Sequence, residues 1–257
     1  MAEALVQLGE HVGWASEAAP CGEMIALRDC VDASGVFLVH HFVALFAKAG
    51  HRVCLVNMAN SEEHYAAVAR KLVRLDSQQL RQIEPGVNFR AMRDARRFCV
   101  LDYFAGPNKL EATTLAQLFG EIQRCCSDGQ DSAVDVPVSI ILDDLAPLRW
   151  QFGQDAVLRF LRCCKTLAHG PNQATNLVVL SHADTEISEP SEDERSLDAA
   201  LVDLATVSFS VTPLASGYSR DVHGTVILLR WCKYGCDVDI KLTVVMLLFE
   251  LALRVRS

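Results

Sequence analysis

Apolar and polar positions along the chain switch repeatedly between a strand-like and a helix-like period. "EMIALRD" (Glu23–Asp29) and "RVCLVN" (Arg52–Asn57) are short, nearly continuous apolar runs. Such runs mark strands covered on both faces, as in a parallel sheet. "RFCVLDYF" (Arg97–Phe104), "VSIIL" (Val138–Leu142) and "NLVVLSH" (Asn176–His182) read the same way. Helical stretches separate them. "VFLVHHFVALFAKAG" (Val36–Gly50) stops at a glycine with Lys48 in its last turn, as helix ends prefer. Ser61 caps a helix that carries Glu62 and Glu63 first and Tyr65, Val68, Leu72 and Leu75 on one face. Leu115, Leu118, Phe119, Ile122 and Cys126 mark another helix, and Val157, Leu161, Cys164 and Leu167 mark one over Asp155–His169. "TEISEPSEDERS" (residues 185–196) is acidic and polar and reads as a solvated loop. After it, "ATVSFSVTPL" and "GTVILLRW" alternate like strands around "ASGYSRDVHG", an antiparallel hairpin added to a parallel sheet. No repeat or boundary interrupts the pattern. The expectation is one α/β domain over residues 1–257, with a variable segment at 1–22 and an atypical one at 232–257.

Composition narrows the function classes. With 257 residues and 51% hydrophobic content the chain can bury a full core. A net charge of −8 argues against binding nucleic acid by bulk charge but leaves room for a local basic surface. Ten cysteines without a basic leader segment in "MAEALVQLGEHVGW" lead to the expectation of an intracellular chain with reduced thiols packed as small hydrophobes. No apolar run approaches the roughly 18 residues of a membrane span, so no membrane role is expected.

The chemistry turns on "CVDASGVF" (Cys30–Phe37), which lies between a strand and a helix. A phosphate-binding G-x-x-x-x-G-K-[S/T] loop belongs there, its backbone N–H groups reaching phosphate, its lysine supplying charge and its hydroxyl holding Mg²⁺. Gly35 fills the second glycine position, but Cys30 replaces the first, Val36 the lysine and Phe37 the hydroxyl residue. Affinity and catalysis both depend on the missing groups, so no nucleotide cofactor and no metal are expected. Asp143-Asp144 ends an apolar strand where a Mg²⁺-binding carboxylate would sit; without the loop it reads as a local cap or pair. Adjacent His40 and His41 point about 100° apart on a helix and cannot share an ion. Cys232 and Cys236 lack a second ligand pair. There is no G-x-S-x-G, and "SHAD" (Ser181–Asp184) is a strand end. Between Arg70 and Arg97, eight basic residues face three acidic ones, and Arg90, Arg93 and Arg97 share a face if that stretch is helical. The plain reading is a solvated surface; the sharper one is a face for phosphate or an acidic partner.

"GVFLVHHFVALFAKAGHRVCLV" (Gly35–Val56), His64-Tyr65 and "GYSRDVHG" (Gly217–Gly224) resemble the family of subunit six of the Elongator complex, in order from about Met24 to Trp231. The resemblance implies a RecA-like fold, a P-loop-NTPase-type parallel sheet flanked by helices with a C-terminal antiparallel hairpin and no functional P-loop. It implies a non-catalytic subunit that forms a heterohexameric ring with subunits four and five. That ring binds tRNA and supports wobble-uridine (U34) modification, in cytoplasm and nucleus. The hairpin residues Arg220, Asp221 and His223 match the family signature and are expected at a subunit-facing or RNA-facing edge. As a plain turn, Asp221 would bond the backbone and Gly224 would supply a positive φ. After Trp231 the chain departs from the family pattern, reading more apolar than a polar final strand. The competing readings are a divergent ATPase with a nonstandard loop and a recombinase-like paralogue acting on DNA.

Overall fold

The computed structural model describes residues 19–69, 88–104, 109–127, 136–168, 175–183, 192–214, 224–231 and 237–240. Eight strands form one sheet: β1 (Met24–Asp29), β2 (Arg52–Asn57), β3 (Phe98–Asp102), β4 (Val138–Leu142), β5 (Thr175–His182), β6 (Val207–Thr212), β7 (Thr225–Trp231) and β8 (Asp237–Ile240). Their order is β3-β2-β4-β5-β1-β6-β7-β8. Every neighbouring pair from β3 to β6 is parallel, while β6–β7 and β7–β8 are antiparallel. This is the helix-flanked parallel sheet expected from the sequence, C-terminal antiparallel hairpin included.

Helices cover both faces because each strand alternates its side chains between them. Ile25 and Leu27 of β1, Val53 and Leu55 of β2, and Val178 and Leu180 of β5 pack under α1 (Val36–Lys48), α2 (residues 62–69) and α3 (Phe89–Asp94). Met24, Ala26, Cys54, Val56, Leu177 and Val179 face α4 (Leu115–Ser127), α5 (Ala146–Phe152), α6 (Gln154–Ala168) and α7 (Glu192–Leu204). All six residues of β2 are buried, as its apolar run requires.

Local signals set the helix ends. Gly50 has φ +81, its N–H reaches Ala47 O, and the His51 N–H reaches Phe46 O, which closes α1 in a left-handed glycine cap. Ser61 Oγ accepts the His64 N–H, capping α2 as expected. Thr114 and Gln117 exchange side-chain and backbone hydrogen bonds in a capping box ahead of α4.

Four features differ from the sequence expectation. Residues 192–196 do not belong to an acidic loop: helix α7 starts at Glu192. Its acidic first turn suits a helix N-terminus, Leu197 and Leu201 are buried one turn apart, and Asp198 pairs with Arg28 of β1 at 2.6 Å. The short helix α5 carried no readable period at seven residues. Within the atypical segment 232–257, residues 237–240 form β8, an edge strand on β7. Cys99 and Cys125 are joined in a disulfide between β3 and α4, rather than staying reduced; their Cα atoms, 6.2 Å apart, fall within bridging range. Cys54, Cys126 and Cys164 are buried free cysteines. Among the described residues no helix is long and apolar enough to cross a membrane.

Candidate functional site

The loop from β1 to α1 lies at the carboxyl ends of the parallel strands, where open α/β sheets take their ligands. Cys30 and Ala33 exchange backbone hydrogen bonds, so the loop folds back on itself, with Val31 73% exposed at its tip. Helix α1 then begins at Val36 with no side-chain cap from Gly35 and no acidic residue in its first turn. A helix N-terminus gathers partial positive charge and unpaired N–H groups, the property phosphate-binding loops use. Here the anion comes from the chain itself. Asp29, the last residue of β1 and 3% exposed, places Oδ2 2.6 Å from the Gly35 nitrogen and accepts its N–H.

The other oxygen of Asp29 meets His182 Nδ1 at 2.5 Å. The two residues are register partners on β1 and β5, so the sheet itself sets their approach. On its far side His182 Nε2 lies 3.4 Å from Asp144 Oδ1. Asp144, then Asp29, hold the imidazole in its charged form and push its pKa up to about 10. Asp144 also accepts the Ala146 N–H at 2.7 Å and starts α5.

Asp143 completes the row. It accepts the Met58 N–H at 2.7 Å, the Ala59 N–H at 3.2 Å and the Tyr65 hydroxyl at 2.8 Å. Burial pushes its carboxyl up to about 6 against the opposing pull of those donors. Burial, then the Asp143 charge, pushes the Tyr65 phenol well above its ordinary value. Asp144 thus caps locally as expected, whereas Asp143 bonds far along the chain, tying β4 to α2 and the segment ahead of it.

Packing closes what remains of the cradle. Phe37 is buried in the core under α1, and Val36 packs against that core. A Cβ on Gly35 would meet Asp29 Cβ at 3.0 Å and Val211 Cγ2 at 3.4 Å, while its φ is an ordinary −91°. The glycine is required by this close approach to Asp29. Gly224, at the foot of β7, is a similar case and a correction: it has no positive φ, but a Cβ there would meet Thr212 O at 2.7 Å. Two carboxylates around one imidazolium also present a net negative, repulsive field to a triphosphate.

The arginine stretch sits elsewhere. Helix α3 ends at Asp94, Arg96 turns the chain at φ 54°, and Arg97 precedes β3, so Arg90, Arg93 and Arg97 do not form one helical face. Arg93 pairs with Glu62, and an Arg97 Nη donates to the Gly50 carbonyl at the C-terminus of α1. The Arg97 contact lies at the amino ends of β2 and β3, opposite Asp29. Arg90 is exposed. Arg220, Asp221 and His223 lie outside the described residues. His40 packs against His64 and Tyr65 with ring centroids 5.1 and 4.7 Å away, and burial lowers its pKa to about 3. Sequence reading missed Asp29 and His182. The available signal was a carboxylate directly before the loop and a histidine at the end of a buried strand.

A sequence profile of the family described as Elongation complex protein 6 matches residues 6–238. Similar proteins are Elongator complex protein 6 of Danio rerio, 27% identical over 83% of this chain and 81% of its own length, and that of Homo sapiens, 28% identical over 87% and 85%. The Mus musculus protein of the same name is 30% identical over 76% and 74%. Among solved structures, a KaiC-like protein from Pyrococcus horikoshii OT3 aligns with 82% of this chain and 79% of its own at 9% identity and a TM-score of 0.48. With a profile match over most of its length, the chain belongs to the Elongation complex protein 6 family.

Proposed function

We propose that the chain is a non-catalytic subunit of the Elongator complex that assembles with subunits four and five into a heterohexameric RecA-like ring. The ring binds tRNA and supports modification of the wobble uridine U34, in cytoplasm and nucleus. One observation carries the non-catalytic part of this reading. The Gly35 N–H, which a phosphate would need, is already bonded to Asp29 in a buried contact. With neither lysine nor hydroxyl following Gly35, any ATPase activity belongs to the assembled ring. Arg90, on its exposed corner, and the hairpin residues Arg220, Asp221 and His223 are the proposed partner-facing or RNA-facing positions.

Co-expression with the two sister subunits, followed by mass measurement of the intact assembly, tests the proposal. A six-membered assembly is expected, and a solitary chain that captures neither partner overturns it. Calorimetry of the isolated chain with ATP–Mg²⁺ separates the divergent-ATPase reading, which requires micromolar binding where none is expected. Deletion of the gene should remove modified wobble nucleosides from tRNA; intact nucleosides with a recombination defect would favour the DNA-acting reading.

A further inference from the structure

A second group of chemically capable side chains lies on the opposite face of the sheet and is not used by the cradle. Cys54 of β2 and Cys99 of β3 are register partners on adjacent strands, and Cys125 of α4 packs over them. The three sulfur atoms all lie within 4.8 Å of one another. Ligands bound to one ion at about 2.3 Å stand roughly 3.8 Å apart, a spacing that sulfurs held within 4.8 Å of one another can take once the Cys99–Cys125 bond is reduced. Three separate elements supply the sulfurs, and the fold fixes each.

A second observation concerns charge. Arg52 lies two residues before Cys54 on β2, which puts it on the same face, and it is only 7% exposed. Its guanidinium donates to the Cys126 carbonyl at 2.8 Å, beside Cys125, while its Nε has no partner. A buried guanidinium is always charged and calls for a counter-charge. The carbonyl supplies partial charge only. A metal–thiolate centre carries net negative charge and would complete the pairing.

We propose that the reduced chain binds one soft monovalent cation, Cu(I), through the thiolates of Cys54, Cys99 and Cys125. Thiolate sets select Cu(I), Zn²⁺ or iron–sulfur clusters. A structural Zn²⁺ site takes four ligands, and this group offers three. In the oxidised state Cys99 and Cys125 are bonded to each other and only Cys54 is free. A dithiol reductant delivers two electrons and two protons to that bond and becomes a disulfide itself. Each of the three thiols then gives its proton to solvent as the metal–sulfur bonds form. Because each thiol must lose its proton to bind, metal uptake strengthens with rising pH.

The test uses the full chain reduced by dithiothreitol, freed of reductant without air, and titrated with acetonitrile-stabilised Cu(I) against a chromophoric Cu(I) chelator. A background variant with Cys21, Cys30, Cys163, Cys232 and Cys236 replaced by serine removes five thiols outside the cluster and keeps the buried Cys126 and Cys164. It should take up one Cu(I) per chain by native mass spectrometry. X-ray absorption should report three sulfur neighbours, and the disulfide form should take up none. Cys54→Ser, Cys99→Ser and Cys125→Ser in that background should each lose the tight uptake. Should those variants fail to fold, alkylation mapping of the unaltered chain decides: bound copper must protect these three cysteines and leave Cys163 reactive. Absence of stoichiometric uptake, protection of a different set, or uptake of Zn²⁺ with four sulfurs in preference to copper overturns the proposal.

Discussion

At the carboxyl ends of β1, β4 and β5 charged side chains turn inward and satisfy one another, whereas Arg96 and Arg97, at the amino end of β3, are exposed. Helix α1 links the two ends, and its dipole accounts for the difference. Its N-terminus, partly positive, has drawn the Asp29 carboxylate onto the Gly35 N–H. Its C-terminus, partly negative, has drawn Arg97 onto the Gly50 carbonyl. Beside them at the amino ends lie two neutral contacts and one buried charge: His51 meets Ser139 Oγ at 3.0 Å, Asn176 reaches Ser139 Oγ and Pro20 O, and Arg52 donates to the Cys126 carbonyl. The same physics that binds a nucleotide's phosphate is present at this loop, but an internal anion has taken the position. An internal carboxylate can therefore take the electrostatic role that a bound phosphate takes elsewhere.

The largest expected effect comes from removing that internal anion. Asp29→Ala leaves the Gly35 N–H unpaired and a half-exposed imidazolium with one weaker partner. Breaking a buried charge pair from one side costs about 3 kcal/mol, a fall in Tm of roughly 10 °C for a chain of this size. Thermal denaturation checks it, together with faster amide exchange at Gly35. A variant as stable as the parent would mean that the carboxyl end is held by packing alone.

Next in size is His182→Gln, which keeps a hydrogen-bonding group but loses the charge. His182 is raised from an ordinary 6.5 to about 10 by Asp144 and Asp29. Between those two values the folded chain binds more protons than the unfolded one, so stability falls as pH rises. The contribution is fully present below pH 6.5 and lost by about pH 10. Its side chain is 36% exposed, so solvent screens part of the effect. Urea midpoints across this pH range should decline in the parent and decline less in His182→Gln. Parallel curves would remove the charged bridge from the comparison.

Much of this was legible in the sequence, for identifiable reasons. Continuous apolar runs give away β2, β4 and β5, since a strand covered on both faces has no polar positions to confuse its period. Val36 and Phe37 announce a cradle without its chemistry. What fills it could not be read, because Asp29 and His182 are 153 residues apart in the chain and meet only through strand register. The arginines misled for the opposite reason. A helical face was assumed through Arg97, but α3 stops at Asp94 and Arg96 adopts φ 54°. Helix α7 was hidden by an acidic composition that suits a helix N-terminus as well as a solvated loop.

Tyr65→Phe probes the buried carboxylate that is not part of the bridge. Asp143 would lose one donor but keep the Met58 and Ala59 N–H groups, so the cost is about 1 kcal/mol. Chemical denaturation measures it. A loss near that of Asp29→Ala would show that the ties from β4 to α2 matter as much as the loop itself.

The smallest effects belong to the amino end and separate structural from outward-facing arginines. Arg97→Ala removes a charged donor from the C-terminus of α1 and should cost about 0.5–1 kcal/mol. Arg93→Ala breaks an exposed pair with Glu62, worth about 0.2–1 kcal/mol by the usual measure of surface pairs. Arg90→Ala should leave stability unchanged. If Arg90 serves the proposed ring, its replacement shows up instead as weaker tRNA retention by the assembled ring at low salt, with the difference shrinking as salt rises. Stability and retention unmoved together would reduce Arg90 to a solvated residue. A stability loss as large as that of Arg97→Ala would mean that Arg90, too, serves the fold.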